Sequence, residues 1–341
     1  MSENIKKCPV ERVGGQAVIE GVMMRGPKKY STAVRMPDGG ITRDTHDNKT
    51  VKDKIKILRL PILRGIVNYI EMMILAFSTL TFSANAVGYE EEETKFEKWL
   101  NEKFGQSLMT IITAIGSVLG MVLALFLFIY LPALISDLIL GSEGVYFVKK
   151  LVEGVMKIAI FVGYIALISL MPDIKRTFQY HGAEHKTIFC YESGEALTVE
   201  NVKKNKRFHP RCGTSYLFVM IILGVVLSSV VQIDSRIFYV LYKVLTLPVL
   251  VGLGYEITMI AGKYDNLFVK IITAPGLWMQ RLTTSEPDDK QIEIAIVALK
   301  SAMPHVFSEE EVFEGIVLPE KNESAEANTE DGEGSTNNEN A

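Results

Sequence analysis

Apolar residues are bunched along this chain rather than spread through it. Leu108 to Leu140, Leu151 to Met171, Ser215 to Ile233 and Arg236 to Ile260 are each apolar for long enough to cross a bilayer, which takes about 20 residues of helix. The first run exceeds a simple span and predicts a helix that tilts or protrudes. Short links at Gly141–Lys150 and Gln232–Arg236 pair the spans as two antiparallel hairpins.

A further apolar run, Arg64 to Gly88, carries Asn68, Glu71, Thr79, Ser83 and Asn85, which is polar for a helix facing lipid. Upstream of it the pattern becomes that of strands. Gln16–Arg25, Tyr30–Arg35 and Ile41–Thr45 are short β-capable runs separated by Gly26-Pro27 and Pro37-Asp38-Gly39-Gly40, both turn sequences. After the last span, Tyr264–Leu282 reads as an amphipathic surface helix with Trp278 as an interfacial anchor, and Lys290–Ala302 as a soluble helix. Beyond about Glu320 the chain is Glu, Asn, Ser and Gly with little to bury, which predicts disorder. No internal repeat of useful length is present.

The expected fold class is therefore mainly α: a polytopic helical membrane protein with about four transmembrane helices, one in-plane or re-entrant helix and a small N-terminal β unit. Residues 1–60 form the β unit and a basic linker, and 61–107 the in-plane helix and an acidic segment containing Glu90–Glu93. The first hairpin covers 108–172, a candidate metal-binding loop 173–214, and the second hairpin 215–260. Amphipathic helices fill 261–318, and 319–341 is the tail.

Charge supplies the orientation. The formal net charge of −4 says little, because basic and acidic residues occupy different segments. Lys and Arg concentrate in the N-terminal segment and in Asp173–Gly213, which holds Lys175, Arg176, Lys186, Lys203, Lys204, Lys206, Arg207 and Arg211. The positive-inside rule places both in the cytosol. Four crossings between Leu108 and Ile260 leave both termini cytosolic in a multi-pass protein of the cell membrane; a fifth at Arg64–Gly88 would export the basic loop, so that run is assigned in-plane or re-entrant. Arg64-Gly65 is expected to pack, with Glu71 as an ion-pair partner. The Lys203–Arg207 cluster suits anionic lipid headgroups on the cytosolic face, and nucleic acid is not an expected partner. Met1–Arg12 is polar and carries no signal-peptide pattern. Cys8, Cys190 and Cys212 form no even disulfide framework, and in a reducing compartment Cys212 is better read as a possible ligand.

The chemistry concentrates in Tyr180-His181-Gly182-Ala183-Glu184-His185-Lys186 and in His209-Pro210-Arg211-Cys212-Gly213. On a helix His181 and His185 lie one turn apart on one face, a spacing that lets two imidazoles reach one divalent transition-metal ion, zinc being the natural occupant. His209 and Cys212 flank a Pro-Arg pair that can aim further ligands at the same point. His181-x-x-Glu184-His185 also matches the inverted zincin pattern, in which a Glu acts as base on metal-activated water and a distant carboxylate completes the shell. Glu256, near the cytosolic end of the last span, is the candidate for that carboxylate. Two models stay open: a closed structural site of His181, His185, His209 and Cys212, or an open site with three ligands and Glu184 as general base. Gly14-Gly15-Gln16 and Glu20–Pro27 read as a Gly-rich β-turn framework, from which Glu20 and Arg25 could face the site.

These residues resemble the YqhQ-type family of bacterial membrane proteins, a domain of unknown function whose members are often labelled predicted metal-dependent enzymes. The resemblance rests on GGQAVIEGVMMRGP at Gly14–Pro27, Arg64-Gly65, Tyr180–Lys186, His209–Thr214, Tyr255-Glu256 and Thr284–Leu299. It implies a site shared across the family and names no substrate. The functional expectation is a metal-dependent membrane enzyme, most plausibly a hydrolase at the cytosolic interface. A scaffold or assembly factor with a structural His/Cys site is the alternative. A transporter is weaker, since no inverted repeat is evident and Glu256 is read as the only clear carboxylate well inside a span.

Overall fold

A computed structural model of the chain describes residues 11–88, 106–141, 145–210, 212–233, 235–261 and 267–316. Cys8, Glu90–Glu93, Arg211, Tyr264 and the tail beyond Glu320 lie outside them.

The N-terminal β unit is an antiparallel meander of β1 (Gly14–Val18), β2 (Gly21–Arg25), β3 (Lys29–Arg35) and β4 (Ile41–Asp47), paired in chain order. The expected run Gln16–Arg25 is broken into two strands by a tight turn at Ile19-Glu20, with Glu20 at φ 50°. Ile-Glu is no turn dipeptide, so the break had no local signal. What holds Glu20 there is tertiary: Arg176 grips its carboxylate through two nitrogens and the Tyr180 hydroxyl donates to it at 3.1 Å.

Strand alternation sorts the sheet into two faces. Val22, Met24 and Ala33 enter a core shared with a helix, Asp289–Ala302, that is buried almost all round. Gln16, paired with Met23 in the ladder, turns to the opposite face and donates to Thr79 at 2.7 Å. That second face is covered by α2 (Leu63–Val87), which follows the short helix α1 (Val51–Lys54) and a 3₁₀ turn, Lys56–Arg59. The remaining elements are α3 (Gln106–Leu125), a π-helical turn at Phe126–Tyr130, α4 (Leu131–Leu140), α5 (Tyr146–Ile168), α6 (Pro172–Ser193), α7 (Val199–Lys204), α8 (Gly213–Val230), α9 (Arg236–Ala261), α10 (Leu267–Thr283), α11 (Asp289–Ala302) and α12 (Glu309–Val312). The π turn precedes Pro132, which cannot donate into the ladder and crowds the carbonyl four residues back.

Helices at Leu63–Val87, Ile115–Leu140, Tyr146–Ile168 and Ile237–Ile260 are long and apolar enough to cross a membrane, whereas Tyr216–Val230 is shorter. The expected set counted Ser215–Ile233, where α8 runs from Gly213 to Val230, and set Arg64–Gly88 aside; by length and composition α2 also suits a crossing. Helix α2 is uninterrupted and turns its polar residues inward: Thr79 and Ser83 are buried, while Ile70, Ile74 and Phe77 are 52–71% exposed. Ser83 accepts from the Ile19 amide, and Glu71 accepts from the Thr50 hydroxyl and the Val51 amide. Arg64 pairs with Glu256 of α9 rather than with Glu71.

Helices α6, α7 and α11 pack with the sheet into a compact unit beside the apolar helices. The closest approach in it is at Gly182. A Cβ there would lie 2.1 Å from the Ser285 carbonyl oxygen, while the Ser285 amide donates to Phe178 O at 2.8 Å. Gly182→Ala is expected to cost about 1–3 kcal/mol through overpacking and to lower the thermal midpoint of the detergent-solubilised protein by several degrees. Gly163→Ala on α5, whose Cβ would meet nothing within 4 Å, should leave that midpoint within the range of ordinary surface changes, about 0.5 kcal/mol.

Candidate metal centre

Helix α6 begins at Pro172, in the N-terminal position where a missing N–H costs nothing, and ends at Gly194, whose φ of 75° is the left-handed cap that glycine supplies. Its middle, Tyr180 to Ile188, is enclosed by β1, β2 and α11. The 3.6-residue repeat brings His181 and His185 onto one face, ring centroids 4.4 Å apart.

Each imidazole is oriented by a backbone carbonyl. His181 Nδ1 lies 2.8 Å from Thr283 O, and His185 Nδ1 contacts Arg207 O. A carbonyl oxygen only accepts, so both Nδ1 atoms carry the proton and both Nε2 lone pairs remain available. Metal-binding histidines are oriented in this way. Cys212 arrives from the turn before α8, its Sγ 3.4 Å from His181 Nε2. One ligand atom each from His181, His185 and Cys212 lies within 4.8 Å of the others, the one such His/Cys group among the described residues.

His209 stands beside this group rather than in it. Its ring is 5.7 Å from that of His185 and 4.6 Å from Phe189, and its Nε2 is 3.6 Å from Glu192. Gln280 of α10 holds the His209 backbone at both ends, accepting from its amide at 2.7 Å and donating to its carbonyl at 2.8 Å. Glu256 is engaged elsewhere, receiving Arg64 Nε at 2.7 Å and the Ile62 amide at 3.3 Å. That second bond helps hold Ile62 at φ 69°, an unusual conformation for a β-branched residue.

Glu184 is 4% exposed, and its Oε2 has no hydrogen-bond partner among the described residues. That oxygen lies 3.9 Å from His181 Nε2. Its carboxylate fits against β1 because residue 15 is glycine: a Cβ there would fall 3.0 Å from both Glu184 Cγ and Oε1. Burial pushes the Glu184 carboxyl above the usual range, with His181 and His209 pulling it back. Burial also lowers the His185 and His209 imidazoles, so both favour the neutral form that can ligate. Of the framework residues, Glu20 reaches Tyr180 and Arg176, one turn before His181, whereas Arg25 bonds Asn48 and Met72 on the other side of the sheet. The basic cluster is partly neutralised from within, Lys203 by Asp289 at 2.5 Å and Arg207 by Glu286 at 3.5 Å. Thr283, Arg207 and Gln280 had no signal in sequence, because two of them act through backbone oxygens and the third braces a backbone.

Residues 60–305 match the model of the family described as "Protein of unknown function (DUF1385)", and the chain belongs to that family. It is similar to the "Uncharacterized protein YqhQ" of Bacillus subtilis (strain 168), 36% identical over 285 residues that cover 83% of this chain and 89% of the relative. No solved structure matches the chain.

Gln280→Ala leaves two buried backbone groups of His209 without partners, at about 1–3 kcal/mol each. The turn that carries Cys212 should loosen. With Cys8 and Cys190 replaced by Ala, maleimide should label Cys212 several-fold faster in Gln280→Ala than in the parent. An unchanged rate means that Gln280 does not hold this turn.

Proposed function

We propose that this DUF1385 protein is a metal-dependent membrane hydrolase whose site lies on the cytosolic side at the bilayer surface. The observation that carries the reading is the convergence of His181 Nε2, His185 and Cys212, with a Glu184 oxygen that has no hydrogen bond among the described residues 3.9 Å from the first of them. Two imidazoles and a thiolate suit a divalent ion of the zinc type. Such an ion would act as a Lewis acid and lower the pKa of water. Glu184 then takes a proton at Oε2, a role suited to a carboxyl whose pKa is raised by burial. His209 outside the three-residue group favours the open arrangement, and the capture of Glu256 by Arg64 leaves Cys212 where the inverted zincin pattern has its third, acidic ligand.

A specific observation also favours a scaffold with a structural site. His181, His185 and Cys212, with their carbonyl partners at Thr283 and Arg207, tie α6, the turn before α8 and the end of α10 together, so a bound ion would staple three segments. The two readings separate on Glu184. Purified wild type should carry one divalent ion per chain by elemental analysis, and His185→Ala should lose it. In the enzyme, Glu184→Gln keeps the ion and loses about 10²-fold or more of the hydrolysis found with a panel of ester, peptide and phosphodiester substrates. Full retention of hydrolysis in Glu184→Gln removes Glu184 as the base, and no hydrolysis by metal-loaded wild type leaves the scaffold.

The same reading makes α2 an in-plane helix, with both chain termini and the sheet cytosolic. Its polar face contacts the sheet from Met72 to Ser83, and its other face presents Ile70, Ile74 and Phe77 to lipid. Single cysteines placed at Lys56 and at Asn85 should therefore be labelled by an impermeant thiol reagent from the same side of inside-out vesicles. Labelling from opposite sides makes α2 a crossing.

A further inference from the structure

Glu153 of α5 is 2% exposed among apolar helices, so Glu256 is not the only carboxylate within the long apolar runs. Its carboxylate accepts from Lys157 at 2.7 Å, from Lys150 at 3.0 Å, and from Lys243 of α9. The Tyr239 hydroxyl donates to both of its oxygens at 2.8–2.9 Å. Lys150 and Lys243 also lie over the Tyr239 ring, 3.9 and 4.3 Å from its centroid.

One carboxylate thus answers three ammonium groups that are only 11–17% exposed. The neighbouring Lys149–Asp137 pair, at 3.2 Å, cancels itself. With all three lysines protonated, the cluster carries two positive charges in excess among the described residues. Lys157 is eleven residues into α5 and Lys243 seven residues into α9, about 17 and 11 Å along their helices. Surplus charge at such depth is costly unless an anion meets it.

A place for that anion is present. Lys157 and Lys243 form the polar wall of a cavity of about 320 Å³ between α5, α8, α9 and the π turn. The rest of the lining is mostly apolar, including Phe128, Phe161, Met220 and Leu250, and its hydroxyls on Ser228, Tyr242 and Thr246 donate to backbone carbonyls. The volume is within the range of small-molecule sites, about 300–1,000 Å³. A soluble anion would leave the apolar walls unmatched, and a neutral hydrocarbon would leave the two ammonium groups unmatched. We infer that this cavity binds an anionic phospholipid, its phosphate between Lys157 and Lys243 and an acyl chain along the apolar walls. The inference rests on the membrane reading above and is independent of the metal chemistry.

The test uses the full chain purified in detergent, after alkaline carbonate extraction has established that it is held in the membrane; release by carbonate counts against the membrane reading and not against the cavity. Delipidated protein is titrated with phosphatidylglycerol, phosphatidylcholine and inorganic phosphate and read by native mass spectrometry. Phosphatidylglycerol should bind about tenfold or more tightly than phosphatidylcholine, two lysines being worth about 2 kcal/mol, and inorganic phosphate should not compete. Lys157→Gln with Lys243→Gln should abolish the preference, and Lys204→Gln on the cytosolic unit should not. Should the double variant fail to fold, Gly224→Leu decides: a Cβ there meets only Leu250 Cδ2 at 3.8 Å, so the new side chain enters the cavity and should expel the lipid. Equal binding of the two lipids, displacement by inorganic phosphate, or phosphatidylglycerol retained by Gly224→Leu overturns the inference.

Discussion

Between α6 and the Ser285 backbone there is no room for a side chain, and the geometry of the candidate centre depends on that contact. With Gly182 against the Ser285 carbonyl, the residues on either side reach the same segment. His181 bonds Thr283 O, and Lys186 reaches Glu286. Gln179 is drawn to Gln291 at the start of α11. Any residue larger than glycine would push α6 away and separate His181 from the carbonyl that sets its tautomer. The HGAEH sequence is therefore two constraints in one: a helical spacing that places the imidazoles, and a gap that lets the helix approach what orients them.

A similar economy joins the compact unit to the apolar helices. Gly65 of α2 and Gly252 of α9 meet where a Cβ on Gly252 would lie 2.4 Å from Ile62 Cγ2. This approach brings Arg64 onto Glu256 and places an ion pair at the junction. From there α2 runs along the sheet with its small and polar residues inward and its large apolar ones outward. That is the reverse of a helix on a soluble protein, whose apolar stripe faces the core. The arrangement is the one that the in-plane placement proposed for α2 requires. Its mixed composition, ambiguous as a linear string, becomes ordered once the faces are separated.

Much of this was legible along the chain. The apolar runs located the long helices to within a few residues, the Gly-Pro and Pro-Asp-Gly-Gly turns bounded the strands, and the four-residue spacing of His181 and His185 put them on one face. These are local properties, set by helical and strand periodicity and by turn conformation, and such properties survive without knowledge of the fold. The Ile19-Glu20 turn was not legible, because an arginine and a tyrosine 156 and 160 positions away hold it. Nor was the fate of Glu256, whose partner depends on how α2 meets α9.

The sequence by itself determined which residues are chemically able to ligate and which segments suit a bilayer, because both follow from side-chain type and period. Only the tertiary structure decided which candidates come together. It joined Cys212 to His181 and His185, set His209 one ring away and left Glu256 to Arg64. It also gathered three lysines around Glu153 beside an apolar cavity. The physical reason is the same in each case: a ligand set or an ion cluster is a coincidence of distant backbones, fixed by close approaches and backbone hydrogen bonds that leave no mark on the residues that benefit from them.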